Sequence, residues 1–273
     1  MLKLIKESFK ITNKYIILAT PLILFSLISS LYLLFSAGGT KISLMISAVL
    51  FFLMFGAFLS GWLYMTKRCV QSPQDEDVNQ LIKEFPAGVG EYFLPTLGLI
   101  IISFIVSVLF FIISIFLGIK FIGDPHISQS LLSNSLGSVE AMKKFAMSLT
   151  DEQLVKINLW NLLMFSAVSF SYFLIIFYAP AMFMKNKNPF FALGLALKDL
   201  FSRKFLKNVL LFIFVSVIYL IFSMLIAILG GNIILHFIFT LANFYFIVFA
   251  AVLIFSYYYK NFVQIGGNVD ETV

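Results

Sequence analysis

The chain has 273 residues, 61% of them hydrophobic and only 12% charged, with a formal net charge of +6. Soluble domains carry about 45–50% apolar and about 25% charged residues, so one globular core cannot hide this excess and a soluble fold is excluded. No soluble basic face is visible, which excludes nucleic acid as a partner; the positive charge reports topology and attraction to anionic lipid.

The first residues, MLKLIKESFKITNK, place Leu2, Ile5 and Phe9 on one helical face while Lys3, Lys6 and Lys10 point elsewhere. The apolar run that follows is longer than the ~7–15 residues of a signal-peptide core, so it reads as a permanent span rather than a cleaved leader. Uncharged runs cover Tyr15–Phe35, Ile42–Met65, Phe93–Ile119, Leu159–Phe183, Val209–Leu229 and Ile233–Tyr259. Each is about the ~20 residues needed to cross ~30 Å of hydrocarbon, and each is continuous rather than alternating, which predicts helices and not barrel strands. The fold class is therefore all-α: a polytopic membrane protein of six transmembrane helices in a single integral domain.

Between spans two and three, DEDVNQLIKEF puts Val78, Leu81, Ile82 and Phe85 on one stripe behind acidic residues, which predicts a short amphipathic helix. Between spans three and four, the loop Lys120–Asn158 is the one sizeable extramembrane segment. Thr150-Asp151-Glu152-Gln153 fits a capping box that starts a helix through Leu154 and Ile157, and Val139, Met142, Phe145 and Met147 suggest another. Between spans four and five, Asn188 caps and Pro189 opens a third amphipathic helix with the stripe Phe190, Leu193, Leu197 and Leu200, followed by Lys198, Arg203 and Lys204 as basic groups for lipid or a partner.

Lys and Arg concentrate on one side: the N-terminal tail, the loop with Lys67, Arg68 and Lys83, the loop from Lys185 to Lys207, and Lys260. The positive-inside rule then makes both termini cytoplasmic in a cell membrane. Each amphipathic helix precedes an outward-going span, and LIKE at Leu4–Glu7 recurs at Leu81–Glu84, with ALKD at Ala196–Asp199 as a weaker third copy. Tyr15 and Tyr92 enter their spans at the same distance from the first two copies. This is the pattern of a threefold repeat of amphipathic helix plus two spans, with any symmetry axis along the membrane normal. Pro95 lies near a helix start, where its missing N–H costs little, whereas Pro21 and Pro180 lie deeper and are expected to kink their helices.

Intramembrane charge marks ion or proton pathways, and no span contains Asp, Glu, Lys or Arg. The best polar face in the membrane is His236, Thr240 and Asn243 on span six, either a substrate or lipid-headgroup path or interhelical hydrogen-bond glue, with Asn161 on span four similar in kind. Ala57/Gly61, Ser43/Ser47 and Ser103/Ser107 are small-residue faces that permit close helix packing. Two distant histidines and the lone Cys69 build no metal site, no Gly-rich phosphate loop or catalytic triad is visible, and no cofactor is expected.

The segment YAPAMFMKNKNPFFALGLALKDLFSRKFLKNVLLFIF resembles a bacterial multi-pass family that includes YciC-type proteins and the membrane domain fused to glycerophosphodiester phosphodiesterases. Pro180, Asn188, Ala192–Leu200 and Lys207-Asn208 carry the likeness, and ITNKYIIL and TLANFYFIVFAAVLIFSYYY extend it over nearly the whole chain. The resemblance implies an envelope- or lipid-related role; the phosphodiesterase domain itself is absent, so its activity is not implied. The expectation is a non-enzymatic integral membrane protein in contact with the bilayer, with anionic lipid at its cytoplasmic face, and with a cytoplasmic or membrane protein as a further partner. The alternatives are a permease subunit whose cytoplasmic helices dock an ATPase, and a membrane-embedded enzyme that uses lipid oxygens as ligands.

Overall fold

The computed structural model describes residues 1–36, 40–73, 78–124, 138–229 and 231–264. Its helices are α1 (Leu2–Lys14), α2 (Ala19–Ser36), α3 (Lys41–Gln71), α4 (Val78–Phe121), α5 (Val139–Ser148), α6 (Asp151–Met184), α7 (Pro189–Leu200), α8 (Phe205–Leu229) and α9 (Ile233–Tyr258), with no strand among the described residues. Six helical segments are long and apolar enough to cross a membrane: Ile16–Phe35, Lys41–Gln71, Gln80–Phe121, Asp151–Met184, Phe205–Ile228 and Ile233–Val263. The protein is an all-α polytopic membrane protein. Its helices outrun the uncharged stretches because Lys and Arg at their ends can keep their charges in the interface while the helix continues.

The chain forms two compact units, Met1–Ile102 with Phe173–Val273, and Ser103–Tyr172. In the first, α1 lies along α9, α2 packs on α3, and α9 also packs on α8, α3 and α2. Its core is aromatic: Tyr15, Tyr92, Tyr178, Tyr258, Phe177, Phe183 and Phe255 are almost fully buried. Tyr92 stacks on Phe183 with ring centroids 4.5 Å apart, and Phe25 stacks on Phe58 at 4.3 Å. Large apolar side chains such as Leu24, Leu27 and Leu31 of α2 stay exposed, as lipid-facing positions of a spanning helix must. Close approach of α3 and α4 is set by glycine: a Cβ on Gly88 would stand 2.5 Å from Tyr64 Cβ and 3.1 Å from Gly61 Cα. Gly61 thus serves the packing role its spacing suggested.

Three local expectations change. The LIKE segment of the second repeat is not a separate short helix, because α4 runs unbroken for 44 residues through Pro86 and Pro95. Each proline frees one carbonyl a turn earlier without ending the helix, since burial of Leu81 and Tyr92 on either side of Pro86 holds the backbone in place. Pro95 therefore sits deep inside a helix rather than at its start. Pro21 is the reverse: a 3-10 turn at Ile16–Leu18 precedes α2, so Pro21 falls in the first helical turn, where no hydrogen bond is lost. The Leu18 carbonyl at this corner is taken by the Trp62 indole N–H at 2.9 Å. Pro180 does lie inside α6, as expected.

The second unit holds the far part of α4, α5 and the first part of α6. Trp160 is its anchor: its indole N–H donates to the Gly123 carbonyl at 3.0 Å, and its ring covers Gly118, where a Cβ would meet it at 2.3 Å. Phe110 meets Phe170 edge to face at 4.9 Å. The capping box forms as read, with the Gln153 N–H donating to Thr150 Oγ1 at 3.3 Å and the Thr150 N–H donating to Gln153 Oε1 at 3.0 Å. It starts the spanning helix α6 directly.

Candidate functional site

The ends of the spans that carry Lys67, Lys185 and Lys260 meet the amphipathic segments in three ion pairs. Arg68, at the end of α3, lies 3.4 Å from Glu84. Lys185, just after α6, lies 2.8 Å from Asp199 of α7. Lys260, in the π-helical turn Tyr259–Val263 that continues α9, pairs with Glu7 of α1. Glu7, Glu84 and Asp199 are the last letters of the LIKE, LIKE and ALKD matches. The end of α3 thus pairs with the segment that opens α4, the end of α6 with α7, and the end of α9 with α1, so the connections close into a ring.

The Asp199 corner is the most buried of the three. Asp199 is 7% exposed, and its Oδ2 also accepts the Tyr258 hydroxyl. Asn208, at the start of α8, donates its amide to the Asp199 and Leu200 carbonyls at 3.0 and 2.9 Å, satisfying the C-terminal end of α7, and its Oδ1 accepts the Tyr257 hydroxyl at 2.8 Å. Tyr178 donates to the Pro189 carbonyl at 2.9 Å, and the Asn188 side chain caps the Phe190 and Phe191 amides. The Lys185 ammonium stands 5.3 Å from the Tyr258 ring centre and 5.7 Å from that of Phe262. Lys204 donates to the Asn261 carbonyl at 2.8 Å; desolvation, reinforced by neighbouring Lys207 and opposed by Asp199, lowers its pKa.

A second aromatic corner surrounds Tyr92. Its hydroxyl accepts from Lys67 at 3.0 Å and donates to the Phe183 carbonyl at 3.3 Å. Lys187 sits 5.2 Å from the same ring and pairs with Glu91 at 2.5 Å. At the third corner, Tyr15 and Lys14 both donate to the Pro73 carbonyl, at 3.1 and 2.7 Å. Glu7 there has its pKa lowered, first by its hydrogen bond to Lys260 and against a desolvation that raises it.

The residues singled out from sequence fall in different places. On α7, Leu200 is buried and Leu193 half-buried, whereas Phe190, Leu197 and Lys198 are exposed; Arg203 beyond the helix is exposed and Lys204 is tied to Asn261. His236, Thr240 and Asn243 share a face of α9, but the Thr240 hydroxyl bonds its own helix at the His236 carbonyl, 2.8 Å away. Among the described residues, the His236 and Asn243 side chains make no hydrogen bond to another helix, and His236 and Asn161 are exposed. No group of three or more His, Cys, Asp or Glu that could hold a metal occurs among the described residues.

Sequence reasoning missed Asp199, Lys185, Tyr257 and Tyr258 as a unit. The signal was available in the acid that ends all three four-letter matches, which the apolar stripe alone leaves without a role. The chain matches no family model, no curated protein and no solved structure.

Proposed function

We propose that this chain is a non-enzymatic membrane protein of the cell membrane serving an envelope or lipid process, with both termini and the ion-paired ring on the cytoplasmic side against anionic lipid. One observation carries this reading: α7 is turned inside out relative to a water-facing amphipathic helix. Its buried face is small or polar, Ala192, Ala196 and Asp199 with Leu200, while Phe190 is 74% exposed, Phe191 68% and Phe201 58%. Aromatic side chains beside Lys198, Arg203 and Lys207 suit the interface of an anionic bilayer, where rings sit at headgroup depth and ammoniums reach phosphate. The resemblance to YciC-type proteins points the same way.

A spin label tests it. Cys69 is buried, so Phe191→Cys offers the accessible thiol. In vesicles containing phosphatidylglycerol, the label is expected at interfacial depth, relaxed by oxygen and shielded from an aqueous nickel chelate. A label fully open to the chelate sinks the reading. Capture of an ATPase that is lost in Phe190→Ala/Phe191→Ala replaces it with that of a permease subunit.

A further inference from the structure

Beside the Glu7–Lys260 pair, α1, α3 and the end of α9 enclose a cleft of about 400 Å³, within the roughly 300–1,000 Å³ usual for small-molecule sites. Its wall joins Lys10 of α1, Gln71 of α3, and Ser256, Tyr259, Lys260 and Gln264 at the far end of the chain. Glu7 is the carboxylate in this wall, and Lys260 already engages it. Lys10 is exposed and acts on Glu7 through space without a direct ion pair among the described residues, and Lys14, bonded to the Pro73 carbonyl of the wall, adds a further ammonium nearby. Among the described residues, the cleft therefore keeps a positive excess after its internal pairing. Ser256 of the wall is 3% exposed; its hydroxyl is buried with no partner among the described residues, and a turn about χ1 would bring it to a ligand in the cleft. A buried hydroxyl without a partner is costly, and a ligand reaching it would relieve that cost.

We propose that this cleft binds a phosphate ester with an uncharged hydroxylated substituent, the chemistry of a glycerophosphate. The ammoniums of Lys10 and Lys14 offer point charges to the phosphate. The amides of Gln71 and Gln264 and the hydroxyls of Ser256 and Tyr259 suit the polyol, which can both donate and accept. The inference rests on the lipid reading above only for the source of the ester, a phospholipid headgroup.

Full-length protein, delipidated in a neutral detergent, is titrated by calorimetry with short-chain phosphatidylglycerol, glycerol 1-phosphate and inorganic phosphate. The lipid is expected to bind, and Lys10→Ala to weaken it about tenfold, the loss of one charge-assisted contact. Lys3→Ala, on the same helix but outside the cleft, leaves binding unchanged. Gln71→Ala is the second variant should circular dichroism show that Lys10→Ala perturbs the helices. Lipid binding tighter than glycerol 1-phosphate assigns a membrane source, and equal binding of the two assigns a soluble ester. No binding, equal effects of Lys10→Ala and Lys3→Ala, or inorganic phosphate as tight as the esters overturns the proposal. The Phe191→Cys label reports on a different helix, so failure there leaves this titration standing, and failure of the titration leaves the label's depth unchanged.

Discussion

The Lys185 ammonium and the Tyr258 hydroxyl converge on one oxygen, Oδ2 of Asp199, with Lys185 at 2.8 Å. Removing one partner of a buried pair leaves the other charge desolvated and uncompensated. Lys185 retains 22% side-chain exposure, so the loss is partly screened. Asp199→Ala is expected to cost about 2–3 kcal/mol in detergent-solubilised protein, below the upper range for fully buried pairs. Lys185→Met combined with Asp199→Leu should cost less than Asp199→Ala alone. A wild-type melting temperature for Asp199→Ala would show that the pair contributes no net stability.

The Glu7–Lys260 pair makes the seating of α1 pH-dependent. Lys260 holds the Glu7 carboxyl below its usual range. A depressed folded pKa contributes stability that is fully present above the unfolded value, roughly 4.3, and is lost as pH falls through the folded value. Amide protection of Leu2–Lys14 is expected to hold from neutral pH down to about 4.3 and to fall below it. Glu7→Gln should lower protection at neutral pH and remove the acid step; an identical step in that variant would assign it to another carboxylate.

Gly88 and Gly194 form a matched pair for a packing test. A methyl on Gly88 must displace Tyr64 or the Gly61 backbone, whereas nothing lies within 4 Å of a methyl on Gly194. Gly88→Ala is expected to lose about 1–3 kcal/mol by forcing α3 and α4 apart. Gly194→Ala should be neutral or slightly stabilising, since alanine has the better helix propensity. Thermal denaturation of the two variants side by side decides it.

Thr150 caps the start of α6 reciprocally with Gln153. Thr150→Ala should fray the first turn at a cost of about 1 kcal/mol, while Thr150→Ser keeps the oxygen and most of the stability. Hydrogen exchange at Asp151–Leu154 reads the fraying locally, and unchanged exchange in Thr150→Ala would rule out a stabilising cap.

Span number and the amphipathic segments were legible because both rest on one-dimensional patterns, uninterrupted apolar length and the 3.6-residue period. Asn188 with Pro189, and Thr150 with Gln153, were legible because caps act within a turn. Pro21 and Pro95 exchanged roles because their effect depends on where each helix begins, and those starts are set by distant groups: Trp62 fixing the Leu18 carbonyl, and burial of Leu81 and Tyr92 carrying α4 past Pro86. The apolar stripe of α7 was read as a face for lipid or a partner, but the residues that face inward were not legible. Phe190 and Phe191 are exposed, and the bundle takes in the small side chains Ala192 and Ala196 together with Asp199. The ring of ion pairs joins residues as far apart as 253 positions, which no local period encodes.

That span of 253 positions has a consequence for biogenesis. Glu7 leaves the ribosome 253 residues before Lys260, which follows only once the spanning helix α9 has been made. Until then α1 is without its counter-ion. Locking of the first helix thus becomes a signal that the sixth span is in place, and a chain stalled before α9 would be recognisable by an N-terminal segment still open to proteases.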